Sequence, residues 1–517
     1  MSDFNTAKPP PHFKKEGVFH RLIVDEKAFL ILGREVTPSA SSSAAYMARQ
    51  WQDIKNLGLN TVLLAVTWEV FEPKEGRFDR DLVANLIAQA RGVGIRVIIS
   101  WFGSLKGDVS SYTPQWIKMD PVRFPKMRYN IDAWLTVPTP TVSLFGPQLV
   151  IAEKTAFAEF VQQVKAADPD YDTILMLQIG SEIGYLDWSR DVCDAALATF
   201  DKGVPADYLD FLVQSGSVLC SAESHAWEEF ASTSLGTDEL FTTYHVASHI
   251  NALAKIAKEA YPVPIIVNAA LEQAEGRKHG GPLPETLHLW KLFAPCIDLY
   301  APRLLDNNYN ETCETWGSGS DQPLLVQAHG QWDTASCQLW SAFGSHYAIG
   351  IVFSKIQDMS KRHESIIEHS TLLRQAAPFL LDAQDQGHPH IGFTNAHDTR
   401  PWLLDPGPLH LISGEFEITL KNSFCLAAWG IMYGLAISQG NGKLLLFGRN
   451  FEVKAMSRSD DVASTRILSL HEVEVDEQGR LQVQRTFNAD ETNGSRIARM
   501  SPEAPMIAEL QFYCIKK

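Results

Sequence analysis

Eight short apolar runs, each followed by a stretch of helical spacing, limit what this chain can fold into more than any other feature. They are residues 29–33 (FLILG), 60–66 (NTVLLAV), 95–101 (IRVIISW), 174–179 (ILMLQI), 264–268 (PIIVN), 297–301 (IDLYA), 323–327 (PLLVQ) and 349–353 (IGIVF). Near-continuous apolar runs of this length suit strands buried on both faces, as in a parallel sheet covered by helices. Between them, Met47, Trp51 and Ile54 fall at i, i+4 and i+7, and Leu82, Leu86 and Ala90 share one face beside Val83 and Ile87. Asp79 or Asp81 can cap that second helix, and Gly92 or Gly94 can end it. Eight strand–helix units without a Gly-rich phosphate loop after the first strand point to a (β/α)8 TIM barrel rather than a doubly wound sheet.

Beyond about residue 375 the rhythm changes. Segments 413–420, 434–438, 443–447, 472–475 and 481–484 read as strands, with Asn441-Gly442 as a hairpin signal. The expected organisation is a loose, Pro/Lys-rich N-terminal arm over 1–20, an α/β barrel over 21–378, and an antiparallel β-sandwich domain over 379–517.

Charge narrows the partners. The 61 acidic against 45 basic residues give a net charge of −16, and no long basic run occurs. That speaks against nucleic acid and against an anionic membrane surface, and favours a neutral or cationic small-molecule substrate. The seven cysteines are scattered singly, with no CxxC, which reads as reduced thiols. The N-terminus lacks a signal-peptide core, and no apolar run reaches membrane-spanning length. The expected location is the cytoplasm. No nucleotide motif and no histidine spacing of a metal site is present, so neither a cofactor nor a metal is expected; HPH at 388–390 and His245 read as structural.

Reactive groups of a barrel lie at the C-terminal ends of its strands. The ends carry Glu35 after strand one, Trp68 and Glu69 after strand two, and Trp101 after strand three. Strand four leads into Ser181, Glu182 and Tyr185, strand five ends at Asn268, strand seven at Gln327, Ala328 and His329, and strand eight leads to Lys355 and Gln357. Carboxylates among aromatic side chains suit carbohydrate chemistry, in which rings stack on sugar faces and carboxyl groups act as acid and base.

Five segments carry a resemblance to a known family: 58–79 (GLNTVLLAVTWEVFEPKEGRFD), 101–125 (WFGSLKGDVSSYTPQWIKMDPVRFP), 175–191 (LMLQIGSEIGYLDWSRD), 280–290 (GGPLPETLHLW) and 487–500 (FNADETNGSRIARM). Together they resemble the β-galactosidase-like barrels of glycoside hydrolase family 35 and its family-42 relatives, in a bacterial and fungal subgroup with its own β-rich C-terminal domain. The resemblance implies a retaining glycosidase with an acid/base after strand four and a nucleophile after strand seven. The family's Gln-Val-Glu-Asn-Glu reads Gln178-Ile179-Gly180-Ser181-Glu182 here, so Glu182 keeps the acid/base position while Ser181 replaces the asparagine. The nucleophile position falls on Ala328, or on Gln327 with a one-residue shift, and neither is a carboxylate. A glutamate expected after strand eight is replaced near Gln357.

Three readings follow. The first is an atypical or impaired glycosidase acting on a β-glycoside, with a relocated carboxylate drawn from Glu69, Glu272, Asp306 or Asp333, or with His329 as base. Glu182 is its catalytic residue; Glu35, Trp68, Glu69, Trp101, Ser181, Tyr185, Asn268, Gln327 and His329 are its candidate substrate-binding residues. The second is a repurposed barrel in which Glu182, its pKa raised by burial against Trp101 and Tyr185, is a general acid on a non-sugar molecule, in a cyclisation or isomerisation of the kind fungal secondary metabolism uses. The third is a non-catalytic protein that binds a glycan or a partner through the same cleft.

Overall fold

The structure is a computed structural model describing residues 8–106, 112–131, 135–186, 190–209, 226–230, 235–269, 278–304, 309–328, 332–354, 364–396, 407–423 and 431–517. All eight apolar runs form parallel strands of one closed barrel. These are β1 (Ile31–Glu35), β2 (Thr61–Thr67), β3 (Arg96–Phe102), β4 (Ile174–Ile179), β5 (Ile265–Ala269), β6 (Leu299–Leu304), β7 (Leu325–Ala328) and β8 (Gly350–Phe353). They close in chain order, β8 pairing with β1 through Gly350 and Ile31.

The helix α1 (Arg80–Val93) shows how local sequence sets an element. Asp79 accepts a hydrogen bond from the Leu82 amide at 3.0 Å, which satisfies an otherwise orphaned donor. Gly94 ends the helix at φ +73°, a conformation that costs glycine little. Of the alternatives in the sequence, Asp79 and Gly94 are therefore the ones used.

The N-terminal segment is not a loose arm throughout. His12–Glu16 and Phe19–Val24 pair antiparallel, and Leu22 and Val24 pack against Ile31, Leu63, Ile98, Met176, Ile266, Leu299, Leu325 and Val352. Those barrel residues fill the lower interior, so the ribbon plugs the N-terminal end. Burying Leu22 and Val24 there offsets the entropy of ordering the segment.

Two long helices complete the barrel wall, α4 (Trp332–Gly344) and α5 (Glu364–Gln386), after α2 (Pro147–Ala167) and α3 (Thr237–Ala260). The expected junction at 378/379 lies within α5, which runs on past Pro378. The C-terminal domain then starts with β9 (His390–Thr394), followed by β10 (Leu409–Ser413), β11 (Phe416–Asn422), β12 (Tyr433–Ser438), β13 (Lys443–Arg449) and β14 (Phe451–Ser457). It ends with β15 (Val462–Val475), β16 (Leu481–Thr486), β17 (Ala498–Arg499) and β18 (Met506–Lys516). Two antiparallel sheets result, in the orders β9-β12-β13-β18-β15-β16 and β10-β11-β14-β17. The single strand expected over 413–420 is two, because Gly414 turns the chain at φ +60° between β10 and β11. Asn441 and Gly442 both have positive φ, as the β12–β13 hairpin signal required.

The larger sheet is covered on both faces. Leu435, Ile437, Leu445 and Phe447 join the core shared with the barrel helices, while Leu444, Leu446, Leu470 and Leu510 face the second sheet. Barrel and β domain meet backbone to backbone at Gly392 on β9. A Cβ there would lie 1.9 Å from the Trp340 carbonyl oxygen and 2.8 Å from the Gly344 Cα. Gly392→Ala is therefore expected to cost about 3 kcal/mol, read as a lower urea midpoint, since neither backbone can yield cheaply. An unchanged midpoint would contradict this contact.

Among the described residues no helix is long and apolar enough to cross a membrane. Cys193, Cys296, Cys313, Cys337 and Cys514 are free thiols, and Cys220 and Cys425 lie outside the described residues.

Candidate active site

Side chains alternate along a strand, so every second residue of β1–β8 points into the barrel. Below, the inward residues are the aliphatic plug. Above it they become polar: Ser100 on β3, Gln178 on β4, Asn268 on β5 and Gln327 on β7, all buried. Buried amides need partners, and these find one another.

The amides form a directed relay. The Glu182 backbone N–H donates to Asn268 Oδ1 at 3.0 Å, Asn268 Nδ2 donates to Gln327 Oε1 at 2.6 Å, and Gln327 Nε2 donates to Gln178 Oε1 at 2.8 Å. Gln178 Nε2 then donates to the Gly180 carbonyl oxygen at 2.9 Å. The relay starts and ends on the same loop after β4, which it holds in place from inside the barrel. Each amide uses its donor and its acceptor in one direction, so each bond polarises the next.

The two positions left open in the sequence face opposite ways. Gln327 faces inward, whereas Ala328 is buried in the core between barrel and helices. Gln327→Glu replaces the amide donor aimed at Gln178 Oε1 with an acceptor. The substitution is expected to lower stability by about 1–3 kcal/mol in chemical denaturation, through an unsatisfied buried acceptor. A gain in stability would show that the relay is not needed.

The loop from Gly180 to Gly184 is conformationally unusual. Gly180 has φ +68° and Gly184 φ +128°, while Glu182, with a full side chain, sits at φ +52°. A non-glycine residue in the left-handed region costs about 1 kcal/mol or more and persists only when its surroundings enforce it. Here the Asn268 bond to its own N–H does so. A Cβ on Gly180 would lie 2.9 Å from the Leu105 carbonyl oxygen, so a side chain there would be crowded as well as strained.

The Glu182 carboxylate, 16% exposed, meets two cations. Lys106 Nζ lies 3.1 Å from Oε2, and the Arg303 guanidinium is ion-paired with Oε1. Burial lowers the pKa of Arg303, and the nearby Glu35 opposes that shift. Burial raises the Tyr112 pKa, and Glu69 and Glu35 push it the same way. Lys106 Nζ also stands 5.5 Å from the centre of the Phe102 ring, against which Tyr112 packs. The mouth thus gathers Glu182, Lys106 and Arg303, with Glu35 near enough to act electrostatically on Arg303 and Tyr112.

Several candidates lie elsewhere. Trp68 and Trp101 are fully buried between strands and helices, 6.3 Å apart, because their positions face outward from the barrel. Trp68 Nε1 donates to Glu72 at 2.7 Å, and Trp101 Nε1 donates to Glu153 at 3.3 Å. Neither offers a face to a sugar. Tyr185 is also buried, and desolvation drives its pKa up. The environment of Glu182 is cationic rather than apolar, and opposite charges favour the ionised carboxylate. Ser181 is buried. Glu69, 38% exposed, is bound by Lys118 at 2.7 Å. His329, Glu272, Asp306, Lys355 and Gln357 lie outside the described residues, as does the side chain of Asp333. Asn268, Gln327 and Glu35 are brought to the same barrel mouth as Glu182.

Lys106, Arg303 and Gln178 were missed. Arg303 was legible: alternation from Leu299 and Ala301 points residue 303 inward, had strand six been followed past Ala301. Lys106 carried no such signal, since it follows the end of β3.

No curated protein matches the chain. Residues 367–499 match a family described only as a domain of unknown function, DUF5597. Among solved structures the chain is similar to the catalytic domain of a β-amylase from Paenibacillus polymyxa (TM-score 0.45, 12% identity, 66% of this chain and 100% of that one). It is similar also to a β-galactosidase from Bacillus circulans sp. alkalophilus (0.49, 13%, 68% and 57%) and to an endo-1,4-β-mannanase from Rhizomucor miehei (0.42, 12%, 70% and 99%).

Proposed function

We propose that this chain is a glycoside-hydrolase-like enzyme acting on a small carbohydrate, with Glu182 and Glu35 as its two carboxyl groups. One observation carries the reading: Arg303, at the barrel mouth, is ion-paired with Glu182 and is influenced by Glu35. Gln327 stands where the resemblance to family 35 implies a nucleophile, and an amide cannot form a glycosyl ester. A one-step displacement by water is a chemistry open to two carboxyl groups without that nucleophile. In it the ionised Glu182 takes a proton from water, the water oxygen bonds to the anomeric carbon, the glycosidic C–O bond breaks, and Glu35 gives its proton to the leaving oxygen.

The test is turnover of a panel of aryl β-glycosides, galactoside and glucoside included, with the anomer released first read by NMR. Turnover with inversion supports the reading. Retention overturns the one-step mechanism and returns the search to a relocated nucleophile. The closed amide relay favours a second reading, a glycan-binding barrel without turnover. Saturable binding of a galactoside with no hydrolysis of any substrate supports it over the first. Absence of both binding and hydrolysis directs attention to a non-sugar substrate.

A further inference from the structure

The C-terminal domain holds a cleft of about 710 Å³, within the range of small-ligand sites, lined among the described residues only by that domain. Its walls come from β11, β14, the start of β15 and the turn at 493–497. Lys421, Lys454, Arg466 and Arg496 line it, and among the described residues no carboxylate does. That distribution is notable on a chain with 61 acidic and 45 basic residues. Lys421 leans toward Glu452 at 3.7 Å. Lys454, Arg466 and Arg496 have no carboxylate partner among the described residues, and Arg466 spends one N–H on the Thr465 carbonyl at 3.3 Å. Keeping like charges together without counter-charges is unfavourable in the free protein, so an anionic ligand relieves it.

The remaining lining tells which anion. Thr419, Ser464 and Asn493 add hydroxyl and amide groups to the lining, with Met456, Val462 and Ile497 as apolar surface for a sugar's C–H face. No aromatic side chain lines the cleft among the described residues, so it lacks the platform on which nucleobases stack. We propose that this cleft binds an acidic oligosaccharide, carrying one carboxylate per sugar, whose carboxylates meet Lys454, Arg466 and Arg496 while its hydroxyls meet the polar groups of the lining. The site is separate from Glu182 and does not depend on the activity proposed for the barrel.

The test is calorimetric titration of the full chain with trigalacturonate, with neutral galactotriose and with a short oligothymidylate. Trigalacturonate is expected to bind at least tenfold more tightly than galactotriose, and to weaken as salt rises. Lys454→Gln combined with Arg466→Gln is expected to weaken it at least tenfold, while Lys454→Arg combined with Arg466→Lys retains most of it. Both pairs lie at the surface, and circular dichroism confirms that each variant is folded. Equal binding of galactotriose, tighter binding of the oligothymidylate, trigalacturonate binding undiminished in the glutamine variant, or no binding of trigalacturonate would each overturn the proposal.

Discussion

Glu182→Gln is expected to lower turnover of any substrate of the barrel by about a thousandfold, within the span that loss of a positioned acid or base produces. The amide keeps the size of the side chain but can neither take a proton nor carry the charge that Lys106 and Arg303 surround. It also leaves those two cations short of a partner, so a stability loss of about 1–2 kcal/mol should accompany the kinetic one. The pH profile distinguishes the role. A base must be deprotonated, so activity of the wild type rises with pH along its acidic limb, and that limb should vanish in Glu182→Gln. If the basic limb vanishes instead, Glu182 is the acid and Glu35 the base. Full activity in Glu182→Gln would remove it from the mechanism. Glu182→Gly separates backbone from side chain: it relieves the cost of φ +52° while abolishing turnover to the same degree.

Acid should weaken the fold well before carboxylates are generally protonated. His369 lies buried between the barrel helices and the β domain, where Trp340 Nε1 donates to its Nδ1 at 2.9 Å and the Tyr433 ring packs on it. Burial lowers its pKa to about 3, and Arg449 adds to the shift. His245, enclosed by Phe145, Trp227, Phe241 and Tyr244, is lowered by burial to about 4. In the unfolded chain both titrate near 6.5. Above that pH both states carry neutral imidazoles and nothing is lost. Below it the unfolded chain takes up protons that the folded chain refuses, so stability falls with falling pH until the folded values are reached. Between pH 7 and pH 5 each histidine should remove about 2 kcal/mol, hence roughly 4 kcal/mol together. Urea unfolding at the two pH values measures this. His245→Phe, which suits the aromatic surroundings, should flatten the dependence by about half. A midpoint that does not move between pH 7 and pH 5 would show that these imidazoles gain protons without unfolding. Further acidification adds Glu153, buried against His249 and Ser104. Burial pushes its pKa up, but His249 and Ser104 outweigh that and lower it below the ordinary carboxylate value.

Local pattern and tertiary contact divide the account of this protein. Near-continuous apolar runs are legible because a strand covered on both faces leaves no polar alternation, and eight of them leave little choice but a closed barrel. The caps at Asp79 and Gly94 and the turn at Asn441-Gly442 are equally local, as backbone geometry within a few residues decides them. Glu182 stood out because it ends the fourth run. The roles of Trp68 and Trp101 did not follow from position in the chain. Both are near strand ends, but side-chain parity turns them into the wall, and parity needs the strand register that only the closed sheet supplies. The same register chose Gln327 over Ala328. Lys106 and Arg303 reach Glu182 from the ends of β3 and β6, and the amide relay joins residues up to 149 positions apart. Sequence by itself determined the barrel, its strands and the carboxylate at the end of β4. Tertiary structure alone decided the charge that surrounds that carboxylate, because hydrogen bonds and ion pairs form between atoms adjacent in space, and barrel closure sets that adjacency.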